Sequence, residues 1–204
     1  MKTIHIEPSS RCTLACPQCP RTYNLDNIPI EDCDIPSMVR ACRGFDEITM
    51  CGNHGDPIYH AEFHDLLYRL REDQPHVRFN IITNGAFRSK TWWKQTAGLL
   101  ESKDHVIFSI DGIPTNNHTY RINSRWDGIE TGIRTLRKHT PDQLLMTWKW
   151  ILFRYNENDV KQGKQIARDL GFNRFLLVQS VRYTEKEFLI PTKSLLEIWE
   201  DANV

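Results

Sequence analysis

Short apolar runs alternate along the chain with stretches whose apolar residues recur every three or four positions. Strands are expected at residues 3–7, 47–50, 77–83, 105–110, 144–153 and 175–179. Helices are expected at about 35–41, 60–71, 92–100, 127–139 and 159–170, with a short helical stretch near 193–201. In the second of these Phe63, Leu66, Leu67 and Leu70 share a face, and Ile129, Ile133 and Leu136 do so in the fourth. Pro36 suits a first helical turn, and Gly171 stands where the helix at 159–170 should stop. Strands alternating with helices predict βαβ units, a parallel sheet and right-handed crossovers. An open doubly wound sheet and a partial barrel both satisfy that pattern. In either, ligand-bearing loops lie at the C-terminal ends of the strands.

No repeat, low-complexity run or linker divides the chain. One α/β domain is therefore expected over 1–204, with the barrel or sheet at about 3–180 and a short tail at 181–204. Apolar residues make up 40% and charged residues 25%, an ordinary globular composition. Lys plus Arg and Asp plus Glu number 26 each, so no global basic surface for nucleic acid exists. No apolar run approaches the 18 or so residues of a membrane span, and the N-terminus lacks a signal peptide's apolar core. No membrane partner and a cytoplasmic location are expected. The six cysteines then read as metal ligands or buried thiols, not as a disulfide framework.

Three of those thiols fall in Cys12-Thr-Leu-Ala-Cys16-Pro-Gln-Cys19, directly after the first strand. Thiolates suit iron–sulfur clusters or zinc. Four cysteines would close a four-iron cubane, so three leave one iron open to a small molecule. Cys16-Pro-Gln-Cys19 alone also has the spacing of a thioredoxin-like redox pair, and the three thiols with His5 would make a zinc site. Further unusual turns follow the next three strands: Gly52-Asn53-His54-Gly55-Asp56-Pro57, Thr83-Asn84-Gly85 and Ser109-Ile110-Asp111-Gly112. Neither a zinc fold nor a thioredoxin needs that set.

The CxxxCxxC spacing with these turns resembles the radical S-adenosylmethionine (radical SAM) family, over about residues 3–180. The resemblance selects a (βα)6 partial TIM barrel and implies a [4Fe-4S] cluster held by Cys12, Cys16 and Cys19. The free iron would chelate the amino and carboxylate groups of S-adenosyl-L-methionine (SAM). Gly52, Asn53, His54, Gly55 and Asp56 resemble the family's Gly-Gly-Glu-Pro segment, which binds the SAM ammonium. Asp56 stands where Glu is usual, and Asn53 and His54 are inserted. By the same resemblance Thr83 and Asn84 form a SAM-side turn, and Ser109 faces the ribose or carboxylate. Asp111 binds ribose hydroxyls or caps its turn, and Arg121 grips the carboxylate. Asn156, Val178 and Gln179 occupy adenosine-facing places. A one-electron donor such as flavodoxin or ferredoxin is implied.

The pattern is most like the branch that often carries a C-terminal SPASM domain, yet no cysteine follows Cys51, so auxiliary clusters of that kind are not expected. Branch resemblance points to a peptide or protein substrate, with a small metabolite or nucleotide as the alternative. A rival reading is a non-catalytic iron–sulfur or zinc-binding module. Cys33, Cys42 and Cys51 are read as structural thiols. Trp148 and Trp150 share one strand face, which either lines the barrel or faces the helices; core is the reading taken. The edge of the sixth strand predicts that a sizeable substrate or a second subunit covers the open side of the barrel.

Overall fold

The computed structural model describes residues 1–23, 29–180 and 189–201. Residues 24–28 and the tail segments 181–188 and 202–204 lie outside the described residues. Strands β1 (Thr3–Ile6), β2 (Glu47–Met50), β3 (Arg78–Thr83), β4 (His105–Ser109), β5 (Leu145–Leu152) and β6 (Arg174–Gln179) form one sheet in sequence order. Every neighbouring pair is parallel. Helices α1 (Pro20–Tyr23), α2 (Ile35–Cys42), α3 (Phe63–Asp73), α4 (Lys90–Ala97), α5 (Trp126–His139), α6 (Val160–Asp169) and α7 (Leu195–Asp201) alternate with them. This is the (βα)6 partial barrel.

Each strand lies within one residue of its expected range, because period-two burial marks strands sharply. The helix expected at 60–71 is divided. Asp56 caps a 3-10 turn at Pro57–Tyr59, and the α-helix then begins at Phe63. The helix expected to begin at Trp92 starts at Lys90, because the Ser89 hydroxyl caps it by accepting from the Trp92 N–H at 3.2 Å. Gly171, at φ +80°, ends α6 as read from sequence.

The sheet's two faces differ in character. Phe79, Ile81, Val106, Phe108, Met146, Trp148 and Trp150 face the helices and are buried. Trp148 packs against Trp126, Phe172 and Phe175 at ring-centroid distances of 5.7–5.8 Å. Its indole N–H donates to the Ile110 carbonyl at 2.8 Å. Trp150 lies against α6 at Gly163, where an added Cβ would stand 2.5 Å from the ring. Both tryptophans are therefore core, so planar substrate stacking is not their role. The alternate residues, among them Asn80, Ile82, His105, Ser109, Thr147, Lys149 and Ile151, point the other way, into the barrel. Several pair across strands: Asn80 Nδ2 donates to Thr49 Oγ1 at 3.3 Å, and His105 meets Thr147 Oγ1 at 2.8 Å. The barrel interior is thus polar, while the apolar core sits between sheet and helices.

At the open edge, α7 lies on β6 with Ile198 buried. Leu189 is fully buried in a small apolar group with Leu14, Cys16, Tyr120 and Phe153. Glu157 holds the tail by accepting from the Thr192 N–H at 2.7 Å. Among the described residues no helix is long and apolar enough to cross a membrane.

Candidate active site

The cysteine loop leaves β1 and is tied down from several sides. Ser9 Oγ donates to Asp32 at 2.6 Å, the Ala15 N–H to the Ile122 carbonyl at 3.1 Å, and Asn123 Nδ2 to the Thr13 carbonyl at 3.2 Å. Thr13 Oγ1 also meets the Tyr59 hydroxyl at 2.6 Å. Leu14, 2% exposed, anchors the loop from its apolar side. So held, Cys12, Cys16 and Cys19 all line one cavity of about 450 Å³ at the C-terminal mouth of the barrel.

Hydrogen-bond donors approach two of these sulfurs. The Leu14 N–H lies 3.4 Å and Asn84 Nδ2 3.5 Å from Cys12 Sγ, and Arg121 Nη1 lies 3.9 Å from Cys16 Sγ. Burial, seconded by Asp56, pushes the Cys12 thiol up to about 11; burial also raises Cys16, against the nearby Arg121 guanidinium. These thiols stay protonated at neutral pH until a metal displaces the proton. Among the described residues no three His, Cys, Asp or Glu side chains converge tightly enough to hold one metal ion. Three thiols lining one cavity, with donors near two of the sulfurs, fit the ligand set of a cluster that leaves one iron open.

The other predicted residues fall into two groups. Gly52, Asn53, Gly55, Asp56, Thr83 and Asn84 line the same cavity, from the turns after β2 and β3. Ser109, Arg121, Val178 and Gln179 line it from the other flank. Gly55 passes over the cysteine loop, where a Cβ would stand 2.0 Å from the Ser9 carbonyl oxygen. Gly85 adopts φ +70°, which the Thr83-Asn84-Gly85 turn needs.

His54, Asp111 and Asn156 are not among the residues that line this cavity. The backbone N–H of His54 donates to Glu7 at 3.2 Å, and Asn53 Nδ2 donates to the other Glu7 oxygen at 2.7 Å. Glu7 therefore ties the inserted Asn53-His54 pair to the end of β1. Asp111 is fully buried. One of its oxygens accepts from Arg121 Nε at 2.6 Å, the other from the Ile151 N–H at 2.8 Å. Burial raises its carboxyl and the Arg121 guanidinium opposes that; against its own burial, Arg121 is held protonated by Asp111. Asn156 is a strut, its amide nitrogen donating to the Asp111 and Ile151 carbonyls at 2.8 and 2.9 Å.

Asp56 reaches the cavity, but its carboxylate is occupied. It accepts from Ile58 N–H at 3.2 Å, Thr83 Oγ1 at 2.9 Å and Asn84 N–H at 2.6 Å. It binds two turns together, which makes it a positioning residue rather than a free partner for an ammonium. The Gly52–Gly55 backbone beside it is the part of this loop left to meet a cation.

Sequence reasoning missed Glu7, Gln18, Tyr120 and Lys149. Gln18, Tyr120 and Lys149 all line the cavity. The signal for Lys149 was present: tryptophans at 148 and 150 facing the helices force residue 149 into the barrel. Gln18 stands between Cys16 and Cys19 and Tyr120 beside Arg121, so proximity in sequence was their signal; Glu7 left none, because its partners Asn53 and His54 are distant in sequence. Of the remaining cysteines, Cys42 is fully buried in the core and Cys33 is exposed, while Cys51 reaches the cavity wall.

No family model matches the sequence. Two curated proteins are similar. The PqqA peptide cyclase of Granulibacter bethesdensis is 23% identical over 201 residues, covering 94% of this chain and 52% of that protein. The tungsten-containing aldehyde ferredoxin oxidoreductase cofactor-modifying protein of Pyrococcus furiosus is 30% identical over 118 residues, covering 56% of this chain and 32% of that protein. The chain thus spans about half or less of these relatives' length. Among solved structures, Streptococcus suis SuiB bound to S-adenosylmethionine superposes with a TM-score of 0.74 at 15% identity, over 98% of this chain and 45% of that one. SuiB is also solved bound to its precursor peptide SuiA. Escherichia coli coproporphyrinogen III oxidase (HemN), a radical SAM enzyme, superposes with a TM-score of 0.64 at 11% identity, over 98% of this chain and 50% of that one. The chain shares the fold of these solved structures.

Proposed function

We propose that this chain is the core of a radical SAM enzyme acting on a peptide or protein. One observation carries the reading: a CxxxCxxC loop and the turns after three further strands line a single cavity of about 450 Å³. Cys12, Cys16 and Cys19 would hold a [4Fe-4S] cluster whose fourth iron takes SAM. When bound, that cluster supplies one electron for cleavage of SAM to methionine and a 5′-deoxyadenosyl radical, which abstracts a hydrogen atom from substrate.

The chain's own residues do the rest. The Leu14 N–H, Asn84 and Arg121 direct positive charge at the ligand sulfurs, which favours the thiolate state. The Gly52–Gly55 backbone, fixed by Glu7 and Asp56, receives the SAM ammonium. Arg121, held by Asp111, presents its guanidinium edge to the carboxylate. Ser109, Val178 and Gln179 flank the nucleoside. The tail at Leu189 closes one side of the cysteine loop and limits the access of water. A flavodoxin or ferredoxin supplies the electron in the cytoplasm.

The peptide assignment rests on the relatives. One similar protein is a peptide cyclase, and SuiB is solved with a precursor peptide. The barrel's open flank at β6, with Leu176 and Trp199 exposed, leaves room for a sizeable partner.

Anaerobic reconstitution followed by SAM and dithionite tests this function. Formation of 5′-deoxyadenosine is expected, with loss of it in Cys16→Ala. A fully loaded protein that yields none under any reducing condition would support the rival, a non-catalytic cluster module.

A further inference from the structure

We propose that Lys149 receives a carboxylate of the substrate, so that the substrate presents an acidic side chain or a free C-terminus inside the barrel; this rests on the radical SAM reading above. Trp148 and Trp150 are both fully buried on the helix side of β5, which turns Lys149 inward. It lines the cavity on β5, four strands along from the β1 loop that carries the cysteines.

The other cations of this cavity are engaged. Arg121 pairs with Asp111 at 2.6 Å, and Arg21 donates to the Leu14 carbonyl. Lys149 Nζ makes no hydrogen bond and no ion pair among the described residues. Asp111, the acid near it, already accepts from Arg121 and from the Ile151 N–H. Across the ladder Lys149 is in register with Ser109 on one side and Leu176 on the other. A half-buried ammonium whose nearby acid, Asp111, is already paired with Arg121, and which has no ion-pair partner of its own among the described residues, favours an anion brought by a ligand.

The donor set also selects the kind of anion. Phosphate sites gather several cations or a row of backbone N–H groups at a helix N-terminus. Here one positive charge stands beside one hydroxyl. That matches a single negative charge, with Ser109 Oγ placed to donate a second hydrogen bond.

The test uses cluster-reconstituted, SAM-loaded protein and three probes. N-acetylglycine offers a terminal carboxylate, N-acetylglutamate N-methylamide a side-chain carboxylate, and N-acetylglutamine N-methylamide the neutral counterpart. Trace acetylation with acetic anhydride, read by mass spectrometry, gives the reactivity of Lys149 relative to exposed lysines. At least one acid should slow it severalfold while the amide leaves it unchanged, and which acid does so separates the two sources. Calorimetry should show acid binding weakened about tenfold or more in K149M and largely kept in K149R, the size expected for losing one charged hydrogen bond. Three outcomes overturn the proposal: equal slowing by acid and amide, full protection by SAM alone with no effect of acid, or unchanged acid binding in K149M. None of these readouts needs turnover. Protection by acid in a protein that forms no 5′-deoxyadenosine would therefore count against the enzyme reading and leave the carboxylate site intact.

Discussion

Asp56 offers a prediction whose size follows from its surroundings. Its carboxyl is 5% exposed and accepts from the Ile58 and Asn84 N–H groups and the Thr83 hydroxyl. Burial pushes its pKa from an ordinary 3.8 up to about 6, against the pull of those donors. The folded state then holds this proton more tightly than the unfolded chain does. Stability from this group is present below about pH 4 and is lost as pH rises through about 6. Two pKa units at about 1.4 kcal/mol each amount to roughly 3 kcal/mol. Asp56→Asn removes the titration and turns one acceptor into a donor, costing about 1–3 kcal/mol at low pH for the broken buried hydrogen bond. The stability advantage of the wild type over D56N should therefore shrink by roughly 3 kcal/mol between pH 4 and pH 7. Urea unfolding of both metal-free proteins, followed by tryptophan fluorescence across that range, measures the difference while common titrations cancel. A difference that is flat, or that grows with pH, would show that the donors outweigh burial and that the carboxylate is held ionised.

Three other perturbations follow from the same geometry. Gly163→Ala should cost about 1–3 kcal/mol, since its Cβ meets the Trp150 ring at 2.5 Å; unfolding at wild-type stability would mean that Trp150 is not packed on α6. Arg121→Met strands the fully buried Asp111 and should cost about 3–5 kcal/mol. Arg121→Lys should recover part of that in thermal unfolding, and equal loss in both variants would deny the ion pair its role. Leu189→Ala should cost about 2–5 kcal/mol and lower the iron retained after reconstitution, because Leu189 packs on Leu14 and Cys16 beside the cluster loop. Unchanged iron content would detach the tail from the site.

What the chain discloses without its structure depends on how local each signal is. The six strands were legible because alternation of residues such as Phe79, Ile81 and Thr83 is written into consecutive positions. The cysteine loop was legible for the same reason: its spacing is a local chemical statement. The turns at 52–55 and 83–85 could be placed at strand ends, and Gly52, Asn53, Gly55, Thr83 and Asn84 do line the cavity. The fates of the two aspartates could not be read. Asp111 is consumed by Arg121, ten residues on, and Asp56 by Thr83 and Asn84, 27 and 28 residues on. Nothing in the turn sequences distinguishes a carboxylate that meets a ligand from one that binds its own fold together. The place of Lys149 is local by contrast: with Trp148 and Trp150 on the helix side of β5, residue 149 faces the barrel.

The central claim is that three cysteines hold a cluster whose remaining iron is open to SAM. Electron paramagnetic resonance of the reduced, reconstituted protein, recorded with and without SAM, tests it most directly. The account expects the signal of a single reduced [4Fe-4S] cluster that changes shape when SAM is added, and no such signal in Cys16→Ala. A reduced cluster whose spectrum is indifferent to saturating SAM, or one that survives the loss of Cys16, would contradict it.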